Sequence, residues 1–173
     1  MRLLLILFFS LAVFASCADS LSKEAEPSSS PLPEKPVDKD YKCITYIDSF
    51  INVNREAINK NKALREHYEG LVTQKLLPLI DKKGLYDSIP FKLVATTLHN
   101  GVAYGNFIFD DDVHYIKVQC IIKKEQLDNL KEDSQYLIKF KTIRFEDGVS
   151  FDNSFSEIEL PTVNAYLKSF TPY

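Results

Sequence analysis

The sequence predicts an α+β chain: an N-terminal amphipathic helix or helix pair, then five β-strands with a short helix between the third and the fourth. Three observations carry this. Apolar residues recur at helical spacing over residues 44–80. From Ile89 onward the spacing shortens to every second residue, the period of a strand with one buried face. One polar segment with two leucines, residues 124–133, interrupts that alternation.

The chain opens with Arg2, an apolar run over residues 3–15 and then small residues. This is the order of a secretory signal peptide, assigned to residues 1–16. The run is shorter than the roughly 20 apolar residues of a spanning helix. No later run approaches that length, so the processed chain is not expected to be an integral membrane protein. Residues 13–17, Val-Phe-Ala-Ser-Cys, resemble the bacterial lipoprotein box. Phe14 departs from it, since the box usually carries an aliphatic residue there. The resemblance implies a lipid on Cys17 as the first residue of the mature chain. Ala18, not Asp19, follows the cysteine, and the family rule then implies the outer membrane of the cell envelope. The alternative is an ordinary signal peptide cut after Ala15 or Ala18.

Residues 17–40 are Ser, Pro and charge with almost nothing to bury. Such a segment cannot offset the entropy of folding and is expected to be a disordered tether. Residues 41–173 then form one folded unit, a helical segment at 41–88 and a β domain at 89–173. The whole chain has 21 Lys and Arg against 24 Asp and Glu, and most of the acidic excess falls in the tether. The folded part is close to neutral. A non-specific nucleic-acid binder should be basic, so charge argues against nucleic acid as a partner.

Within the helical segment Ile44, Ile47, Ile51 and Ile58 form one stripe, continued by Leu64, Tyr68, Leu71, Leu76 and Ile80. Asp40 is placed to cap the start and Gly84 the end. Asn59 and Asn61 weaken the middle, as do Gly70 and Pro78. The first strand covers residues 89–100 and turns at Asn100–Gly101, a strong hairpin signal. The second covers 102–109, with Asp110, Asp111 and Asp112 as the next turn. The third covers 113–122. The short helix follows, with Leu127 and Leu130 on one face. The fourth strand covers 135–147. The fifth is placed at 155–163, with Pro161 ending it or on an edge, and the tail 164–173 as a short helix or an irregular end.

Three strands, a helix and two strands is the order of an OB-fold, a five-stranded Greek-key barrel. Residues 118–147 resemble the tRNA_anti-like family of OB-folds, found in small bacterial secreted proteins and lipoproteins. Val118, Cys120, Leu127, Leu130, Ile138, Phe140 and Ile143 fall where that family places apolar residues. The glycines usual before and within the fourth strand are missing here. The alternative fold is cystatin-like, a long helix wrapped by an antiparallel sheet.

No catalytic constellation is present. His67, His99 and His114 share no metal-ligand spacing with each other or with a cysteine. The three aspartates lack the alternation and closing Glu of a calcium loop. The five glycines are scattered singly, and no Ser lies in a nucleophile elbow. No enzyme activity, metal or cofactor is therefore expected. Cys43 and Cys120 could pair in an oxidising compartment, but nothing brings them together, and two separate buried thiols are the expectation.

OB-folds commonly bind through strands two and three. The candidate ligand face is Tyr104, Phe107, Tyr115, Lys117 and Gln119, with Ile116, Val118, Cys120 and Ile122 pointing inward. An ordinary sheet exterior would look the same. The expected function is a membrane-anchored binding or adaptor lipoprotein that engages an envelope protein or a glycan. The alternatives are an oligonucleotide- or oligosaccharide-binding OB module and an inhibitor-like protein with a cystatin-like fold.

Overall fold

The computed structural model describes residues 41–173. Residues 1–40, which include the segments read as a signal peptide, a lipoprotein-like box at Cys17 and a tether, and the proposed cap Asp40, lie outside the described residues. Helices α1 (Lys42–Ile58) and α2 (Lys62–Lys83) precede strands β1 (Pro90–His99), β2 (Val102–Asp110) and β3 (His114–Ile122). A one-turn helix, α3 (Lys124–Leu127), leads to β4 (Gln135–Phe145), the two-residue strands β5 (Ser150–Phe151) and β6 (Ile158–Glu159), and β7 (Val163–Pro172). Among the described residues no helix is long and apolar enough to cross a membrane.

The helical segment breaks at its two asparagines. Asn61 caps α2, its side chain accepting from the Leu64 amide at 2.9 Å. Helix α1 starts differently from the expectation: Tyr41 is its N-cap and no side chain caps it. Gly84 ends α2 in the left-handed conformation, φ 59°. Cys43, Ile47, Ile51 and Ile58 of α1 and Val72, Leu76 and Ile80 of α2 are buried.

The strands close into a barrel in the order β1-β2-β3-β7-β4 and back to β1. All these pairings are antiparallel except β3 with β7, which runs parallel. This is the strand order of an OB-like barrel, with β7 in the fifth position. A sheet that closes on itself has no open concave face to grip a helix, so the cystatin-like alternative is set aside. Phe91, Leu93, Phe107, Ile116, Val118, Cys120, Ile138, Val163, Ala165 and Leu167 fill the interior. Leu127 and Leu130 pack against that core from the α3 side. The Gln126 amide ties α3 to the Lys168 carbonyl of β7 at 3.1 Å.

The fifth barrel strand is the C-terminal tail, not residues 155–163. Residues 146–162 form an insertion that holds the β5–β6 hairpin, and β6 also runs parallel beside the start of β3, with Ile158 and Glu159 facing His114 and Tyr115. Ile158 and Leu160 alternate inward and suggest a strand, but the left-handed Phe155, φ 57°, on one side and Pro161 on the other confine it to the two residues of β6. Asp152 gathers the loop by accepting from Ser156 Oγ at 2.9 Å and from the amides of Ser156 and Glu157. The tail carries its own alternation, Val163, Ala165 and Leu167 inward.

Several side chains bind the helix pair to the barrel and to its insertion. Thr73 and Glu69 of α2 accept from the amides of Val149 and Phe151 at 2.8 and 3.1 Å. Tyr86, fully buried after α2, sits against Phe91 and Phe140 and donates to the Pro161 carbonyl at 3.4 Å. His114 bridges α1 and the β2–β3 turn. Its Nε2 lies 3.0 Å from Asp48 Oδ1, and its Nδ1 lies 3.1 Å from Asp111. The ring is buried while both carboxylates reach solvent. The histidine is thus locally bonded and also the tie to a remote helix.

Cys43 and Cys120 are separate buried thiols. Burial pushes the Cys120 thiol up to about 12 and raises Cys43 as well. Thiolate is the reactive form, so a thiol reagent at pH 8 should label both only at the rate of unfolding. Fast labelling of either cysteine in the native protein, read by intact mass, would contradict this placement. Replacing His114 by Ala should cost about 1–3 kcal/mol in urea unfolding, since a buried bonded group is lost.

Candidate functional site

The β2–β3 hairpin alternates cleanly, so one set of side chains lines the barrel and the other its outer wall. Phe107 belongs to the inner set and is fully buried, which removes it from the candidate face. Tyr104 and Phe107 are three residues apart, and an odd spacing puts them on opposite faces of a strand. Tyr104, Tyr115, Lys117 and Gln119 are on the outer wall, each partly exposed.

Strand register arranges the wall into two rows. In the first, Thr97, Tyr104, Ile121, Tyr166 and Lys141 stand side by side across β1, β2, β3, β7 and β4. In the second, Asn106, Gln119, Asn164 and Arg144 stand side by side across β2, β3, β7 and β4. The rows lie two residues apart along each strand, except on β4. There a bulge between Thr142 and Arg144 leaves Ile143 without a register partner and half exposed. A depression of about 230 Å³ opens between the rows, lined by Tyr104, Gln119, Ile121, Ile143, Arg144, Asn164 and Ala165.

The second row is a ladder of hydrogen bonds. Gln119 Nε2 donates to Asn106 Oδ1 at 3.2 Å. Asn164 Nδ2 donates to Glu146 Oε1 at 2.6 Å, and Arg144 Nη2 donates to the same oxygen at 3.1 Å. The Asn164 amide, then Arg144, holds the Glu146 carboxylate below its usual range against some desolvation, and the Lys117 charge adds to this. The charges at this end of the wall are therefore compensated locally.

Of the sequence-predicted face, the structure brings Tyr104 and Gln119 into the depression and Lys117 beside it. Tyr115 stands opposite Asp110 near the β2–β3 turn and does not line it. Asn106, Ile121, Ile143, Arg144, Asn164 and Tyr166 were missed. Outward parity could have offered Asn106 and Ile121. The rest needed the partners of β7, which a single sequence does not reveal. Among the described residues no group of three or more His, Cys, Asp or Glu side chains could hold a metal ion. Comparison of the chain with family models, curated proteins and solved structures finds no match.

Phe107→Ala should cost about 3–5 kcal/mol, the usual range for emptying a buried aromatic site. Tyr104→Ala should stay within about 1 kcal/mol. Chemical denaturation of the two variants checks the assignment. Equal costs would place Tyr104 in the core as well.

Proposed function

We propose that this protein is a non-enzymatic binding or adaptor module, held at the membrane of a bacterial cell envelope by a lipid on Cys17, with the outer wall of β2 and β3 as its contact surface. One observation supports it above the others. The depression joins exposed aromatic and apolar groups to amides that keep hydrogen-bonding capacity, the mixture that ligand sites use for affinity and orientation. The lipoprotein-like box and the Ser- and Pro-rich segment after it support the anchored, tethered arrangement.

The oligonucleotide alternative rests on likeness of fold, and fold does not carry function. Near-neutral charge weighs against it. The inhibitor-like alternative rested on a wrapped helix and loses its support with the closed barrel. Similarity to the tRNA_anti-like family is part of the same proposal and rests on the pattern of residues 118–147.

Two measurements test the reading. Mass spectrometry of the mature N-terminus should find acylated Cys17. An unmodified N-terminus at Ser16 or Asp19 would refute the anchor. Capture of partners from envelope extract should fall at least tenfold for a Tyr104→Ala, Gln119→Ala double variant. Undiminished capture would refute this wall as the contact surface.

A further inference from the structure

We propose that a neutral glycan binds across the depression and the wall beside it, one sugar ring seated on the Tyr104–Ile121–Tyr166 row and its hydroxyls met by the amides of Asn106, Gln119 and Asn164. This rests on the proposed function and narrows it to a ligand class.

The first row supplies the seat. Register puts Tyr104 and Tyr166 on either side of Ile121. Tyr166 is about half exposed. Two aromatic residues flanking an aliphatic one make an apolar shelf with phenol groups at its ends. The C–H face of a pyranose is apolar and covers such a shelf, while its hydroxyls project sideways.

The second row meets those hydroxyls. A side-chain amide carries two N–H donors and a carbonyl acceptor with two lone pairs. Gln119 spends one donor on Asn106, and Asn164 spends one on Glu146. The remaining amide groups of the row include both donors and acceptors. Sugar hydroxyls each donate and accept, so neighbouring hydroxyls fit a row of that kind. The bonds within the ladder also fix the amides before a ligand arrives, which lowers the entropy cost of binding.

Charge separates a glycan from a nucleic acid, the other polymer that stacks on aromatic rows. A phosphate backbone calls for uncompensated cations. Arg144 is paired with Glu146, and Lys117 lies within the field of the same carboxylate. Lys141 stands beside Tyr166 at the end of the first row, and Lys139 and Lys168, next along β4 and β7, lie within the field of the Asp87 carboxylate. Cations that are mostly offset by neighbouring carboxylates do not make a track for phosphates.

The test uses the full chain in detergent on an array of neutral oligosaccharides, with titration calorimetry of the strongest hit and of a single-stranded DNA 12-mer. Saturable glycan binding is expected, little changed between about 0.05 and 0.5 M salt. Tyr166→Ala and Gln119→Ala should each weaken it about tenfold or more, since an aromatic stacking partner is worth about 1–3 kcal/mol and 1.4 kcal/mol is tenfold. Thermal melting should show both variants folded. No glycan binding, or binding indifferent to both substitutions, would overturn the inference. DNA binding that falls steeply with salt would replace glycan with nucleic acid. If glycans fail while a captured envelope protein still depends on Tyr104 and Gln119, the glycan inference alone is lost. If that dependence is absent too, the contact surface is lost with it.

Discussion

The parallel pairing of β3 with β7 is the constraint on which the rest of this structure depends. Val118, Gln119, Cys120 and Ile121 face Val163, Asn164, Ala165 and Tyr166 in register. Without that contact β3 and β7 would each present a bare edge. With it, Val118, Cys120, Val163 and Ala165 turn into one interior, and Gln119, Ile121, Asn164 and Tyr166 form one continuous wall. The core and the candidate site are thus two sides of the same register. A slip of one residue would exchange them.

The helix pair and the insertion depend on that closure in turn. Helix α2 reaches the insertion through Thr73 and Glu69, and α1 reaches the β2–β3 turn through Asp48 and His114. Tyr86 fills the space between the helices and the barrel. These ties are individually modest. They act on residues whose positions the barrel already fixes, so they orient the helices more than they hold the sheet. The bulge at Ile143 has the opposite character, since it interrupts the β4–β7 ladder and puts Ile143 among the residues that line the depression.

Local chemistry was readable in the sequence and non-local pairing was not. The Asn100–Gly101 turn, the break at Asn59–Asn61, the Gly84 cap and the inward set of β3 all follow from the residues themselves. The fifth strand was misplaced because Ile158 and Leu160 alternate and do reach β3, yet the left-handed Phe155 and Pro161 confine that pairing to the two residues of β6. The longer strand, β7, gains its order from β3, 45 residues earlier at each register pair, and from β4, 18 to 36 residues earlier. Phe107 was placed on the wrong face although parity alone assigns it inward. Of the candidate site, Tyr104, Lys117 and Gln119 could be read from one hairpin. Asn164, Tyr166 and Arg144 could not, because they join that hairpin only through β7 and β4.

Barrel closure can be observed directly by solution NMR. Cross-strand backbone NOEs between residues 118–121 of β3 and residues 163–166 of β7, in parallel register, together with slow amide exchange along both strands, are the result expected. Fast exchange along β3 and β7 with no contacts between them would mean an open sheet, and neither the core nor the two-row wall described above would survive it.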